Sequence, residues 1–290
     1  MPSGYQALRS GAAWLDLSAR GKIYVTGEDR ARLLHAMTTN HIQQLNPGEH
    51  CYAFFLNAQG RILADAHILC LPDRFLLDTE PETRASLFQH LDKYIIADDV
   101  TLEDVTDRLS TISVEGPQAE ALLPPMEHAR ISSTGQPGFR IFTPAKADLV
   151  RQLEAAGAVA ASAQEARLVR LENGVPRYGE DIFENTLPQE TQLHHALHFQ
   201  KGCYLGQEIV ERIRSRGHVN RLLVSLTIEA QEPPEKGTSL TADGKPVGEI
   251  TSAAFSPALG KVVALAYVRV PHNKPGTPLA AGASSASVRG

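Results

Sequence analysis

The sequence predicts an α+β protein in which two similar units in tandem precede a small C-terminal β-barrel. Three observations support this fold class. The chain has 290 residues and 42% apolar content, which is enough for several domains that each bury a core. A weak internal repeat opens two segments with a similar order of elements. Beyond Gly217 the pattern changes to short alternating strands separated by glycine and proline.

The internal repeat joins "IYVTGEDRARLL" (residues 23–34) and "ISVEGPQAEALL" (residues 112–123). Both copies contain Ile-x-Val-x-Gly and end in Leu-Leu at the same offset. Alternating apolar residues that end at a glycine are typical of a strand and a turn, and Glu28 and Asp29 favour a helix N-terminus in the first copy. Each copy is therefore predicted to open with a strand, a turn and a helix.

Further elements follow each copy in a similar order. The first is followed by a hairpin ("CYAFFLNAQGRILADAHILCL"), a strand ("RFLLDTE") and a helix ("PETRASLFQHLDKYII"); the second by a strand ("GFRIFTP") and a helix ("KADLVRQLEAAG"). This order is the split ferredoxin-like pattern in duplicate. We predict a first unit over 1–108, a second over 109–215, a barrel over 216–280 and a flexible, small and polar tail over 281–290.

Composition limits the classes of function. Cys51, Cys70 and Cys203 are an odd number at wide spacing, which argues against a disulfide framework and against an iron–sulfur cluster of the chain's own. A net charge of -5 gives no strong nucleic-acid signal. No apolar run approaches a membrane span and the N-terminus has no signal-peptide pattern, so we expect a cytoplasmic protein with no membrane partner.

The segment "FQKGCYLGQE" places Cys203 between a lysine and a predicted helix that starts near Gly206. A helix N-terminus and Lys201 both favour a thiolate, and the glycines let backbone approach a ligand closely. The alternative is that Cys203 is a small buried apolar residue. These residues alone leave the two interpretations about even.

Two other places collect polar side chains. The stretch "VRLENGVPRYGEDIFENTLPQE" suits a ligand with a heteroaromatic head and an acidic tail, or is a solvated turn with local ion pairs; its polar residues are Arg170, Glu172, Tyr178, Glu180 and Asp181. In the hairpin, Asp65 and His67 lie on the face opposite Ala64 and Ala66, so Asp65 is either solvent-facing or a purposeful buried carboxylate. His194 and His198 have helical spacing, but no further ligand completes a set, so we predict no metal site.

Several of these segments together resemble a known family. "KGCYLGQE" is similar to the K-G-C-Y-x-G-Q-E signature of the YgfZ family of folate-binding proteins, which act in assembly or repair of iron–sulfur clusters. "VTGEDRARLLHAMTTN", "LNPGEHCYAFFLNAQGRILAD" and "RLENGVPRYGEDIFENTLPQE" resemble the wider superfamily of the glycine cleavage T-protein, an aminomethyltransferase. The superfamily's "TS…SP" pattern appears as Thr251, Ser252, Ser256 and Pro257.

The resemblance implies a T-protein-like arrangement of the three parts around a central channel for tetrahydrofolate or a one-carbon derivative. In it, Glu180 would hold the pterin edge with Asp181 as the fallback. Asp65 matches the carboxylate of "G-x-I-x-x-D" near the one-carbon end. Arg170 and Tyr178 would line the site. Lys201 and Cys203, in the cysteine motif that T-proteins lack, would face the same channel. Of these candidate catalytic residues, Asp65 would serve aminomethyl transfer, and Cys203 indicates the YgfZ-type role.

The resemblance implies as the leading function a folate-dependent accessory protein, whose partners are iron–sulfur client enzymes or assembly proteins. The alternative is a folate-dependent aminomethyltransferase or demethylase. A third interpretation is a thiol enzyme without folate, in which Cys203 pairs with His67, His194 or His218. The sequence leaves open whether the protein turns over a substrate.

Overall fold

A computed structural model describes residues 3–290. The elements up to the end of the first predicted unit are α1 (Gly4–Ser10), β1 (Ala13–Asp16), β2 (Gly21–Thr26), α2 (Arg30–Met37), β3 (His50–Leu56), β4 (Ile62–Cys70), β5 (Phe75–Thr79), α3 (Arg84–Asp92) and β6 (Thr101–Asp104). The second part contains β7 (Ser110–Glu115), β8 (Gly138–Thr143), α4 (Lys146–Ala155), β9 (Val159–Ala160), α5 (Ala163–Glu172) and α6 (Gln207–Arg216). The last part contains β10 (Arg221–Ile228), β11 (Ser239–Ala242), β12 (Lys245–Ser256), β13 (Lys261–Arg269), β14 (Pro278–Ala281) and β15 (Ser284–Val288).

The first sheet has the order β3-β4-β5-β2-β6, with all its neighbouring strands antiparallel. Residues alternate between its two faces, as the period of a strand requires. One face is apolar: Ala64, Ala66 and Ile68 of β4 are buried in a core that includes Leu34 of α2 and Leu91 of α3. The opposite face of β4 is left for polar side chains, and it borders the cavity described below.

The second sheet has the order β8-β7-β1-β9. Strand β1 pairs antiparallel with β7 and parallel with β9, so the N-terminal segment completes the second unit. This corrects the assignment of residues 1–108 to the first unit alone. The residues of Ala13–Asp16 are typical of a strand, but the sequence does not indicate which strand they pair with. The partner β7 lies about 100 residues later in the chain, and pairing over that distance depends on which sheet edge is open.

The two copies of the repeat share a turn whose backbone conformation favours glycine. Gly27 and Gly116 occupy the same position in the two copies and both have positive φ, at 98° and 129°. A Cβ at Gly27 would lie 2.0 Å from the carbonyl oxygen of Asp99. The positive φ and this close contact therefore both exclude a side chain at Gly27. The predicted helix forms in the first copy as α2. In the second copy it is corrected to one 3₁₀ turn, Ala119–Leu122.

The C-terminal part is a closed barrel in the order β10-β13-β12-β11-β14-β15. The predicted flexible tail is wrong, because β15 pairs with both β10 and β14 and closes the barrel. Ala286 and Val288 point into its core, where small side chains fit the narrow interior. Two sheets flanked by helices and a closed barrel confirm the predicted fold class. Within residues 3–290, none of the helices combines the length and the apolar character needed to cross a bilayer.

Candidate functional site

A cavity of about 520 Å³ lies where the first sheet, the second unit and the loop after α5 meet. Helix α5 forms one wall, and it also packs against β12 and β13 of the barrel. The charged lining residues are Asp16, Arg20, Asp65, Glu80, Arg140, Arg167, Arg170, Arg177 and Glu180. Apolar parts of the lining include Leu17, Ala163, Val175 and Leu193. A cavity of this size with converging polar groups is a candidate small-molecule site, and its lining is more strongly charged than is usual for such sites.

Asp65 lies in the middle of β4, and its side chain points into the cavity with 5% of its surface exposed. One carboxylate oxygen, Oδ2, accepts a hydrogen bond from the Tyr52 hydroxyl at 2.6 Å. The other, Oδ1, is buried and has no hydrogen-bond partner among residues 3–290. Burial, followed by the charge of Glu80, raises the pKa of Asp65 to about 6 although the Tyr52 hydrogen bond lowers it. Of the two interpretations that the sequence leaves open, the structure selects the buried carboxylate.

An ionic cluster of Asp78, Arg20 and Arg140 lies beside the cavity. Asp78 on β5 is fully buried and contacts both Arg20, at 2.7 Å from its Nε, and Arg140 of β8. Burial alone would raise the pKa of Asp78, but the two guanidinium groups outweigh it and lower the pKa to about 2. The cluster joins the first sheet to the second, because Asp78 belongs to β5 and Arg140 to β8, and Arg20 directly precedes β2.

Glu180 and Asp181 are neighbours with different surroundings. Glu180 lines the cavity, with Oε1 on Arg167 and Oε2 on Arg170. Asp181 is fully buried behind Arg170, at 2.7 Å from its Nη1, and it also accepts hydrogen bonds from Thr251 and Ser252 of β12. Asp181 therefore anchors the loop to the barrel, and of these two neighbours only Glu180 lines the cavity.

Other members of the predicted site have structural surroundings. The hydroxyl of Tyr178 donates to the carbonyl oxygen of Leu63 at 2.8 Å, and its ring packs against β3 and β4, so Tyr178 supports the loop from outside the cavity. Ser256, from the "TS…SP" pattern, donates to Glu172 at 2.6 Å and ties α5 to β12. The hydroxyl groups of this pattern therefore hold the wall of the site in place by donating hydrogen bonds to the buried carboxylates of Asp181 and Glu172.

Lys201 and Cys203 lie beside α2, and neither lines the cavity. Lys201 is clamped to His35, whose backbone oxygen accepts from Lys201 Nζ and whose ring lies 2.6 Å from the backbone oxygen of Lys201. Burial lowers the pKa of Lys201 to about 8. Cys203 is exposed, four residues before the first residue of α6. The turn that carries them folds against α2, and that both residues face a folate channel stays a prediction.

Several cavity residues are not identified by any sequence motif. Tyr52, Arg20 and Arg140 belong to strands or turns that have no motif near them, and they meet Asp65 and Asp78 only through sheet pairing and through contact between the two units. A signal existed for one of them, since Tyr52 lies on the hairpin strand opposite the one that carries Asp65. His194 lies in a 3₁₀ turn with no helical partner at His198, and among residues 3–290 no group of metal-ligating side chains is assembled.

Comparison with known proteins agrees with this architecture. A model of the GCVT N-terminal domain matches residues 3–132, and one of the glycine cleavage T-protein C-terminal barrel domain matches residues 221–288. The aminomethyltransferase of Streptomyces avermitilis is 30% identical over 304 residues, covering 93% of this chain and 82% of the relative. That of Rippkaea orientalis is 29% identical, covering 95% and 83%.

The fold agrees as well. The crystal structure of aminomethyltransferase T of the glycine cleavage system from Bartonella henselae superposes with a TM-score of 0.89, at 24% identity, over 99% of this chain and 87% of that chain. Both ends of the chain match models of one family, and the S. avermitilis relative is aligned over most of its length. The chain belongs to the glycine cleavage T-protein (aminomethyltransferase) superfamily.

Proposed function

We propose that the protein binds tetrahydrofolate, or a one-carbon derivative of it, in the cavity and transfers a one-carbon unit between an amine-type substrate and the folate. The observation that carries the proposal is Asp65, a buried carboxylate with a free oxygen in the cavity and a pKa of about 6. A base with a pKa near the working pH is suited to proton transfer. The aminomethyltransferase names of the relatives support the same reaction class.

The residues present fit a folate. The cavity, at about 520 Å³, falls in the size range of drug-sized ligand sites. Each oxygen of Glu180 meets one arginine, and because an ionised carboxylate can accept about four hydrogen bonds, Glu180 keeps room for the N–H donors of a pterin edge. Arg167 and Arg170 hold that carboxylate in one orientation.

Tetrahydrofolate, when bound, supplies the nitrogen atoms that take up the one-carbon unit. Methylene-tetrahydrofolate holds the one-carbon unit on two nitrogen atoms, so the donor's bonds from that carbon to its amine and to its carrier atom both break. Of the two protons that the folate nitrogens release, Asp65 would take up one at Oδ1 and return it to the departing amine, and the other would leave with the carrier atom. The exchange keeps the one-carbon unit at one oxidation level, so it needs neither an oxidant nor a reductant. Tyr52 fixes the carboxylate through Oδ2.

An anaerobic calorimetric titration with tetrahydrofolate tests the binding step, with Glu180→Ala run beside the wild type. We expect saturable binding that the substitution weakens by at least about tenfold, the cost of a charge-assisted contact. Formation of methylene-tetrahydrofolate from an aminomethyl donor then tests the reaction. A folded wild-type protein that binds no tetrahydrofolate would contradict the proposal.

A second candidate is the accessory role for iron–sulfur enzymes that the cysteine signature suggests, with membership of the YgfZ family. The observation that favours it is the exposed Cys203, which lies on the surface and is open to a partner protein. His67 lines the cavity and Cys203 does not. This separation disfavours a Cys–His pair between the two residues. Client activity in cells that carry Cys203→Ala tests this role: full activity would remove the thiol from it.

A further inference from the structure

Three half-buried histidine rings pack edge to edge where the turn that carries Cys203 meets α2. His35 lies in the last turn of α2, His41 follows the helix, and His198 begins the turn of residues 198–205, which we call the cysteine turn. The ring centroids of His35 and His41 are 4.6 Å apart, and those of His41 and His198 are 5.1 Å apart. None of the three rings lines the cavity, so the cluster is separate from the proposed folate site.

Hydrogen bonds fasten the cysteine turn to the end of α2. The backbone N–H of His198 donates to the carbonyl oxygen of Thr39 at 2.9 Å, and that of Leu205 donates to the carbonyl oxygen of Ala36 at 3.0 Å. Between these two points Lys201 is clamped to α2 as described above. The turn is therefore held at both ends and in the middle, and the three rings pack within that contact.

The hydrogen bonding of the rings suits neutral imidazoles. Nε2 of His35 lies 2.6 Å from the backbone oxygen of Lys201, so Nε2 carries the hydrogen and Nδ1 of the neutral ring carries none. Nδ1 of His35 and Nδ1 of His41 are both buried without a hydrogen-bond partner among residues 3–290. A protonated imidazole carries hydrogens on both nitrogens, so each of these atoms would become a buried donor that lacks an acceptor.

The charges around the rings also oppose protonation. Lys201 is 6% exposed, and the ionisable groups that act on it are the thiols of Cys51 and Cys203. The charges that act on His41 come from His198 and Lys201. Within the part of the chain that the structure describes, neither set includes a carboxylate. Protonating neighbouring rings therefore adds like charges beside a buried ammonium, where low polarity strengthens their repulsion.

These surroundings set the direction of the pH dependence. Burial lowers the pKa of His35 and of His41 below the ordinary 6.5, and the neighbouring cations lower both further, although the hydrogen bond to Lys201 opposes the change at His35. The C-terminus of α2 favours a cation, but Lys201 already occupies it. In a released turn the rings would titrate near 6.5. The closed turn is therefore fully stabilised above pH 6.5, and this stabilisation is lost as the pH falls from 6.5 through the lowered pKa values.

We propose that His35, His41 and His198 form a pH-sensitive switch, in which neutral rings hold the cysteine turn on α2 and protonated rings release it. Release changes the position of the segment that carries Cys203. The inference goes beyond the proposed function and does not depend on it, because the rings lie outside the folate cavity.

Hydrogen–deuterium exchange of the full-length protein at pH 7.5 and pH 5.0 tests the switch. The readout is the protection factor of the cysteine turn, which removes the intrinsic effect of pH on exchange, with strand β13 as the internal reference. One histidine that stays neutral in the closed turn and titrates near 6.5 in the released turn favours release about 30-fold between these pH values. We expect the protection of the turn, relative to β13, to fall at least about tenfold at pH 5.0. A turn whose protection falls no more than that of β13 would overturn the proposal.

A variant of the central ring connects the effect to the cluster. His41→Gln keeps a polar side chain that does not titrate, and the loss of protection at pH 5.0 should shrink at least about threefold, because one of the rings can no longer take up a proton. His128→Gln is the matched control, since His128 is an exposed histidine of the second unit, and it should behave as the wild type. Thermal melting checks that both variants are folded.

His198→Gln provides a second, independent variant, because it removes the ring that belongs to the turn itself. If both His41→Gln and His198→Gln lose as much protection at pH 5.0 as the wild type, the acid sensitivity belongs to other groups and the switch is ruled out. A turn that is already unprotected at pH 7.5 in both variants would rule it out as well, since the rings would then serve packing alone.

Discussion

The cavity around Asp65 and the turn around Cys203 hold two of the predicted catalytic groups, and the two regions are built in opposite ways. Asp65 is enclosed, its pKa is raised by burial, and an ionic cluster lies beneath it. Cys203 is exposed on a turn that contacts α2. The difference teaches that a conspicuous motif and an enclosed reaction site are separate properties: the first is read along the chain, and the second is made by contacts between distant segments.

The largest expected difference between the two regions is in rate. Asp65→Asn should lower one-carbon transfer by about 10² to 10⁴-fold, the usual contribution of a positioned base, and leave tetrahydrofolate affinity within a few-fold. The wild-type rate should rise with pH around 6, because only the ionised carboxylate accepts a proton. Initial rates of methylene-tetrahydrofolate formation measure both. Cys203→Ala is the control, and a rate loss as large as that of Asp65→Asn would erase the comparison.

The ionic cluster below the cavity should dominate stability. Asp78→Asn leaves Arg140 buried without a carboxylate and Arg20 with Glu80 alone, and we expect a loss of about 3–5 kcal/mol in the free energy of unfolding. The pKa of Asp78 is about 2, below its ordinary 3.8, so the stabilisation is present above pH 3.8 and is lost as the pH falls towards 2. Urea unfolding at several pH values measures it.

An exposed pair provides the control for that substitution. Asp73 and Arg74 form an ion pair in which 64% of the Asp73 side chain is exposed. Asp73→Asn should change the free energy of unfolding by less than about 1 kcal/mol. Equal effects of Asp73→Asn and Asp78→Asn would show that the buried cluster has no special part in holding the two units together.

Asp65 should show a smaller effect of opposite sign. Its folded pKa, about 6, lies above the ordinary 3.8, so its contribution to stability is complete below pH 3.8 and is lost as the pH rises through 6. Relative to the wild type, Asp65→Asn should therefore gain about 2–3 kcal/mol in unfolding free energy between pH 3.5 and pH 8. Chemical denaturation at the two pH values decides this, and a difference that does not change with pH would mean that the carboxylate is not strained by burial.

The smallest effects are expected at the exposed thiol. Cys203→Ala should change the free energy of unfolding by less than about 0.5 kcal/mol and leave folate affinity unchanged. A disulfide reagent should label Cys203 first, since burial raises the pKa of the half-buried Cys51 to about 12 and also raises that of the buried Cys70. Mass spectrometry of the labelled peptides checks the order. Faster labelling of Cys51 than of Cys203 would contradict the predicted order of thiol accessibility.

The sequence by itself determined the local features of this protein. Alternating residues in β4 put Asp65 and His67 on one face, and Gly27 and Gly116 have positive φ. These are properties of a few neighbouring residues, where backbone sterics and strand period leave little choice.

Only the tertiary structure decided which of these features meet. It paired β1 with the second sheet, used β15 to close the barrel, brought Arg140 to Asp78, and separated Glu180 from Asp181. It also placed Cys203 away from the cavity. The physical reason is that burial and charge pairing depend on contacts between residues far apart in the chain, and the pKa of Asp65, and with it the proposed chemistry, follows from that burial.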